Sequence, residues 1–367
     1  MIGQPAFLPA DFSDIPGWAA DDHAAAFSAF RQSAMKAGER TWKDGALGIG
    51  FASLQPAFAA ARVLTAAGPQ AARRFFESHF SAWRYGEHPG SGFVTAYYEP
   101  EAEASFVKTD RFRFPLYRQP EDLVKIPAGN PAPGLAPAFE WARRTDLGLV
   151  EHPDRQAIET GALDGRGLEL AWLEDPDDVF FIHVQGSARL SMTDGTKMRI
   201  GFAAKSGHPF TAIGRLLVET GELDAATISM QAIRDWLKRN PHRRDALVWS
   251  NRSFIFFREN PLGDPALGPV AAGHVQLSPG RSVALDRKLH CFATPVFIDM
   301  PDATAFGRPF SRLMIGQDTG SAIVGPARAD IFTGTGDEAG QIAGAVKAPA
   351  DFWFLVPKGV TPAGAAS

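Results

Sequence analysis

A single cysteine, Cys291, in 367 residues leaves nothing from which to build an internal disulfide framework or a multi-cysteine metal centre. The nine histidines are dispersed, with no H-E-x-x-H pattern and no i, i+4 pair, so a zinc site on one helix face is not expected. No run of eighteen or more apolar residues occurs, which excludes a transmembrane helix. Basic residues never gather into a long run, and a net charge of −4 provides no field for a polyanion, which argues against a nucleic-acid partner. No Walker-type phosphate loop is present, since "GTGDEAG" lacks the lysine and hydroxyl residue that bind phosphate and magnesium. The opening "MIGQPAFLPADFSDIPGW" has neither a basic segment nor a continuous apolar one, so no export signal and no lipid-bearing cysteine are expected there.

What remains is a composition able to form a substantial core, 45% hydrophobic and 21% charged, in a chain long enough for one large domain or two medium ones. From about Asp22 to Tyr85, segments such as "HAAAFSAFRQSAMKAG" and "PQAARRFFESHFSAWRYG" space apolar groups at three and four residues, which predicts helices. From Gly92 the texture changes to short aromatic and β-branched runs bounded by Gly, Pro and Asp: "GFVTAYYEP", "FRFPLYRQ" and "DDVFFIHVQGSARLSM" read as strands. On this reading His183 lies in an alternating strand, as a core or groove-edge residue. "KIPAGNPAPGLAPAFEW" reads as a loop. A second helical stretch follows, with Asp224 as N-cap and Pro241 as stop. Short strands then run to "FWFLVPK", a pattern that fits a small closed barrel better than an open doubly wound sheet, and "GVTPAGAAS" reads as a tail.

The chemistry concentrates in "DTGSAIVGPARAD", Asp318 to Asp330. Its first letters match the aspartic protease signature, but that mechanism needs two carboxylates sharing a proton, hence two such segments, and only one is present. Taken alone, D-T-G is also a common turn, with Asp bonding the backbone and Gly supplying positive φ. The longer stretch places two aspartates around a Gly-containing apolar loop. Flanked by Ala329, Ile331 and Phe332, Asp330 is positioned for partial desolvation, which raises a carboxyl pKa toward that of a general acid.

With Asp286 in "ALDR", these residues resemble the three-aspartate ("3D") segment of the lytic murein transglycosylase A family. The ordered set "VTAYYEP", "FPLYRQP", "FIHVQGSARL", "ISMQAIRDWL" and "NRSFIFF" is similar to that family over roughly residues 90 to 357. The resemblance implies a mainly β fold with a helical N-terminal region: a double-psi β-barrel domain from residues 1–104 and 242–367, an inserted second β-barrel domain from 105–241, and a groove between them for a glycan strand. It implies a peptidoglycan lytic exotransglycosylase without cofactor or metal, cleaving the β-1,4 bond from N-acetylmuramic acid to N-acetylglucosamine and leaving a 1,6-anhydro ring. Asp330 would be the catalytic acid, Asp318 and Asp286 supporting residues, and Thr95, Tyr98, Gln185, Gly186 and Ser187 the substrate-binding set. Gly186 would let a ligand approach the backbone. Glycan strands, and other cell-wall enzymes, are the partners implied, and the periplasm, with attachment to the outer membrane, the location. Glu99 stands where a less acidic residue is expected, and leaves open a hydrolase with a second carboxylate. A further reading is a peptidoglycan-binding protein without turnover.

Overall fold

The computed structural model describes residues 7–65, 67–86, 88–127, 134–137, 139–307 and 309–365. Part of the expected Pro/Gly-rich loop, and the ends of the opening and closing segments, lie outside the described residues. The chain divides into two units, one made of both ends, Met1–Tyr98 with Gly263–Ser367, and one of the intervening Glu99–Leu262. The intervening unit is thus longer than 105–241, because strands on both sides of those bounds belong to its sheet.

In the first unit, β1 (Phe7–Ala10) precedes three helices, α1 (His23–Lys36), α2 (Phe51–Val63) and α3 (Pro69–His79). Asp22 caps α1 by accepting from the Ala25 amide at 3.1 Å, and Pro69 opens α3, where its missing N–H leaves no bond unmade. The buried faces converge on Phe27, Phe30, Phe58, Phe75 and Phe76, and each such ring contributes about 1.5–3 kcal/mol by leaving water. The helical pattern does not continue to Tyr85: α3 ends at His79, and Phe80–Tyr85 is β2, paired with β1. In "FSAWRY", Phe80 and Ala82 point inward at strand spacing, and sheet partners on both sides outweigh the local helical pattern. β3 (Gly92–Glu99) completes the N-terminal part.

The second unit holds β4 (Glu101–Ser105), β5 (Phe114–Tyr117), β6 (Leu123–Lys125), β7 (Trp141–Thr145), β8 (Gly148–Val150), a helical turn α4 (Arg155–Ala157), β9 (Glu169–Leu173), α5 (Pro176–Gln185), β10 (Ser187–Met192), β11 (Lys197–Lys205), α6 (Ile213–Glu219), α7 (Met230–Arg239), α8 (Pro241–Trp249) and β12 (Ile255–Asn260). Six strands form one sheet in the order β12-β11-β10-β4-β9-β5, and a bridge between Arg118 and Phe257 brings its two edges together. β6, β7 and β8 form a separate small sheet.

Two expectations fail here. "PDDVFFIHVQ" is the helix α5, not a strand, because Asp175 caps it through the Asp177 amide and Pro176 fits the first turn. His183 therefore sits on a helix, buried beside the Phe254 ring, and its Nδ1 is 3.1 Å from Arg155 Nη1. Ser229, not Asp224, caps α7, and Pro241, the expected stop, also opens α8.

The chain returns to the first unit with β13 (Ser282–Leu285), β14 (Pro295–Met300), β15 (Phe310–Asp318), β16 (Arg328–Thr335), α9 (Asp337–Ala345) and β17 (Lys347–Pro357). The eight strands run β1-β2-β17-β14-β15-β13-β16-β3, and a further β17–β3 pairing closes six of them into a ring. The fold is mainly β with a helical N-terminal region. Gln317 fastens α1 to this ring: its amide donates to Ala29 O at 2.7 Å and Ser33 Oγ at 2.8 Å, while its oxygen accepts from Ser282. Arg281 reaches Asp21 with two bonds of 2.8 Å. No helix among the described residues is long and apolar enough to cross a membrane.

Candidate active site

Strand register brings the two aspartates of the central motif onto one row. Ala284, on the middle strand β13, pairs with Asp330 of β16 on one side and with Asp318 of β15 on the other. Laterally paired residues share a sheet face, so both carboxyls flank a side chain that is only a methyl. A register shift between Val283 and Ala284 brings Asp318, not Gln317, opposite Ala284.

β3 lies against the other edge of β16, and its alternate residues match those of its neighbour. The Arg328 guanidinium lies over the Phe93 ring at 5.3 Å, the Thr95 hydroxyl donates to Asp330 Oδ1 at 2.5 Å, and the Tyr97 and Phe332 rings are 5.4 Å apart. The three contacts ascend together along both strands. Asp330 is thus held between a hydroxyl and apolar neighbours, and burial pushes its carboxyl up to about 6. The Thr95 bond and the Arg328 charge oppose that shift, and the Asp318 charge adds to it. Burial likewise raises Asp318, against bonds from the Tyr97 hydroxyl at 2.7 Å and the Ala272 amide at 3.2 Å. Tyr97 is itself pushed well above the ordinary phenol range, by burial first and then by both carboxylates.

Asp286 has a different position. Its two oxygens accept from the Lys288 and Gly325 amides, both at 2.9 Å, so it ties the turn after β13 to the loop that leads into β16. Tyr98 points away from this row, is 5% exposed, and lies against Gly340 of α9, where an added Cβ would come within 2.9 Å of the ring. Gln185, Gly186 and Ser187 belong to the second unit, at the junction of α5 and β10. Gly186 ends α5 with φ +77°, and its amide donates to Ile182 O at 2.8 Å. Among the described residues nothing lies within 4 Å of a Cβ added there, so no packed protein neighbour calls for glycine, whereas the left-handed turn does. Ser187 is buried at the start of β10, opposite Gly201.

Sequence reasoning missed Tyr97, Arg328 and Ala284. The i, i+2 pattern of Phe93, Thr95 and Tyr97 signalled that Thr95 shares a face with Tyr97, not Tyr98; the matching row on β16 needed the strand pairing. A cavity of about 670 Å³ on the outer face of α1, lined by Arg31, Met35 and Val275 among others, contains none of the row.

Two family models match the chain, the MltA specific insert domain over residues 93–258 and the 3D domain over 281–356. A membrane-bound lytic murein transglycosylase from Agrobacterium tumefaciens has a similar structure, with a TM-score of 0.90 and 46% identity, covering 96% of this chain and 98% of that one. The chain belongs to the lytic murein transglycosylase A family. Another member, membrane-bound lytic murein transglycosylase A of Vibrio cholerae, is 30% identical over 277 residues, 74% of this chain and 67% of that protein. The MltA structure from E. coli with bound chitohexaose has a TM-score of 0.68 at 25% identity and covers 96% of this chain and 91% of that one. In this family member the matched 3D segment contains Asp286, Asp318, Arg328 and Asp330, and the matched insert segment begins at Phe93.

Proposed function

We propose that this family member is a peptidoglycan lytic transglycosylase that breaks the β-1,4 bond between N-acetylmuramic acid and N-acetylglucosamine without water. The observation that carries the reading is the Asp330 carboxyl, raised to about 6 by burial and bonded through one oxygen to Thr95. Such a group is half protonated near pH 6 and keeps a working fraction of its protons toward neutral pH, so it can release one and take it back. Asp330 protonates the glycosidic oxygen as the C1–O bond breaks; the sugar's own 6-hydroxyl then bonds to C1, and its proton returns to Asp330. The incoming hydroxyl is intramolecular, so high effective concentration replaces a positioned water and one acid suffices. Asp318 and Asp286 support the site, the first by its charge and its bond to Tyr97, the second by holding the loop before β16.

A hydrolase would need a second carboxylate to activate water. The one named above, Glu99, is fully buried in the second unit, with Arg199 Nε 2.8 Å from one oxygen and Arg199 Nη2 3.0 Å from the other. That arrangement favours a structural ion pair. Gln185, Gly186 and Ser187 are proposed to contact the glycan from the inserted unit. The relatives' names, membrane-bound and murein, support work at the murein layer beside a membrane, which we propose to be in the periplasm at the outer membrane.

The test is to incubate the protein and an Asp330→Asn variant with peptidoglycan sacculi and to analyse released muropeptides by mass spectrometry. Anhydro-ended products from the unaltered protein alone are expected. Reducing-end products would overturn the reading in favour of hydrolysis, and intact sacculi carrying bound protein would favour a binding role.

A further inference from the structure

Arg328 stands two residues before Asp330 on the same face of β16, and the reaction outlined above does not use it. Its guanidinium is fixed on three sides. Nη2 donates to Thr95 Oγ1 at 2.7 Å, Nη1 donates to the Ala329 carbonyl, and the Phe93 ring lies 5.3 Å from its centre. A guanidinium has five donors and no acceptor, whereas a threonine hydroxyl has one hydrogen. Thr95 must therefore accept from Arg328, and its single hydrogen is directed to Asp330 Oδ1, 2.5 Å away.

We propose that Arg328 is a positioning residue for the acid: by donating to Thr95 it commits the threonine's hydrogen to Asp330 Oδ1 and confines the transferable proton to Oδ2. This rests on the reading of Asp330 as the acid. Without the guanidinium, Thr95 is free to turn and accept a hydrogen bond from a protonated Oδ1. The proton would then be held against β3 instead of being available to a glycosidic oxygen. Arg328 also acts by charge. Among the described residues, the charged or titratable groups whose fields reach Asp330 are Arg328, Asp318 and the Tyr97 hydroxyl. Of these, Arg328 alone is a cation, and it draws the carboxyl down against the effect of burial. Removing the cation should therefore keep Asp330 protonated to higher pH while weakening control over which oxygen holds the proton.

The experiment uses the full chain, soluble glycan strands released from sacculi, and the variants Arg328→Met, Arg328→Lys, Thr95→Val and Asp330→Asn. Expected for Arg328→Met is a kcat lower by about tenfold or more, with KM changed by less than about twofold. The alkaline limb of kcat/KM should move up by roughly one pH unit, followed independently in the ¹³C resonance of the Asp330 carboxyl. Arg328→Lys should hold the limb near its original position and recover part of kcat. Thr95→Val should cost much less in the Arg328→Met background than alone, since the two act as a unit.

An Arg328→Met protein with unchanged kcat and pH profile would overturn the inference. So would one that lost stability and kcat while its limb and carboxyl resonance stayed in place, since that marks a merely structural residue. If Arg328→Met does not fold, Thr95→Val carries the test: an unchanged kcat and an unchanged pH limb there would overturn the positioning role, since Arg328 reaches Asp330 through that hydroxyl. Activity remaining in Asp330→Asn would instead bring down the underlying assignment, whereas an inactive Asp330→Asn beside an unaltered Arg328→Met would sink only the role of Arg328.

Discussion

Tyr97 and Asp318, 221 residues apart in the chain, meet at 2.7 Å, with the phenol hydroxyl donating to the carboxylate. This bond opposes the burial that raises Asp318. Replacing Tyr97 by Phe removes a donor from a largely desolvated carboxylate, at a cost of about 1–3 kcal/mol. The bond is stronger to the ionised acid, so the loss in thermal stability should be larger at pH 8 than at pH 4. An equal loss at both would mean that the bond does not depend on the ionisation of Asp318 between those pH values.

Asp330→Asn should stabilise the protein at pH 8 and not at pH 4. The folded-state pKa, about 6, is raised above the ordinary carboxyl value of 3.8. The folded state's preference for the proton therefore gives stability that is present below the unfolded pKa and is lost as pH rises through about 6. An amide escapes that loss. The expected gain is about 2 kcal/mol once solvent screening is allowed for, read from urea unfolding at the two pH values.

On the proposed mechanism the acid must be protonated to act, so kcat/KM on glycan strands should fall above a limb near pH 6, by about tenfold per unit. A profile flat to pH 9 would show that Asp330 is not the proton donor.

Gly340→Ala would place a methyl group 2.9 Å from the Tyr98 ring. β3 carries Thr95 and Tyr97 on its other face, so a shift of Tyr98 displaces both. Overpacking of this kind costs about 1–3 kcal/mol, and melting temperature and kcat should fall together. Tyr98→Leu in the same chain should restore part of both.

Breaking the Glu99–Arg199 pair by Arg199→Met leaves a buried carboxylate short of its main partner, and should destabilise the protein by about 3–5 kcal/mol in denaturant unfolding. Glu99→Gln, which still accepts from the guanidinium, should fold and keep its product chemistry. A change from anhydro-ended to reducing-end products in Glu99→Gln would show instead that this side chain takes part in the reaction.

Local patterns were sufficient wherever the chain's own periodicity decided the outcome. The helix from His23 to Lys36 and the strands around Val283, Phe297 and Phe354 were legible because apolar spacing and turn residues act within a few positions. Segments whose state depends on a distant partner were not. Phe80–Tyr85 continues a helical pattern but becomes a strand because β1 and β17 offer backbone partners on both sides. "PDDVFFIHVQ" is apolar enough for either state, and its helix is set by a cap at Asp175 and a stop at Gly186.

The site divides along the same line. The sequence by itself singled out the residues proposed to carry the chemistry: an aspartate, Asp330, among apolar neighbours, a second, Asp318, at a strand end, and a glycine-containing loop between them. Only the tertiary structure decided what those residues face. Ala284 lies between the two carboxyls, Thr95 rather than a backbone amide bonds to Asp330, and Tyr97 rather than Tyr98 reaches Asp318. Side-chain alternation fixes which residues share a face, but it cannot say which strand lies alongside; that follows from closure of the ring through β17 and β3.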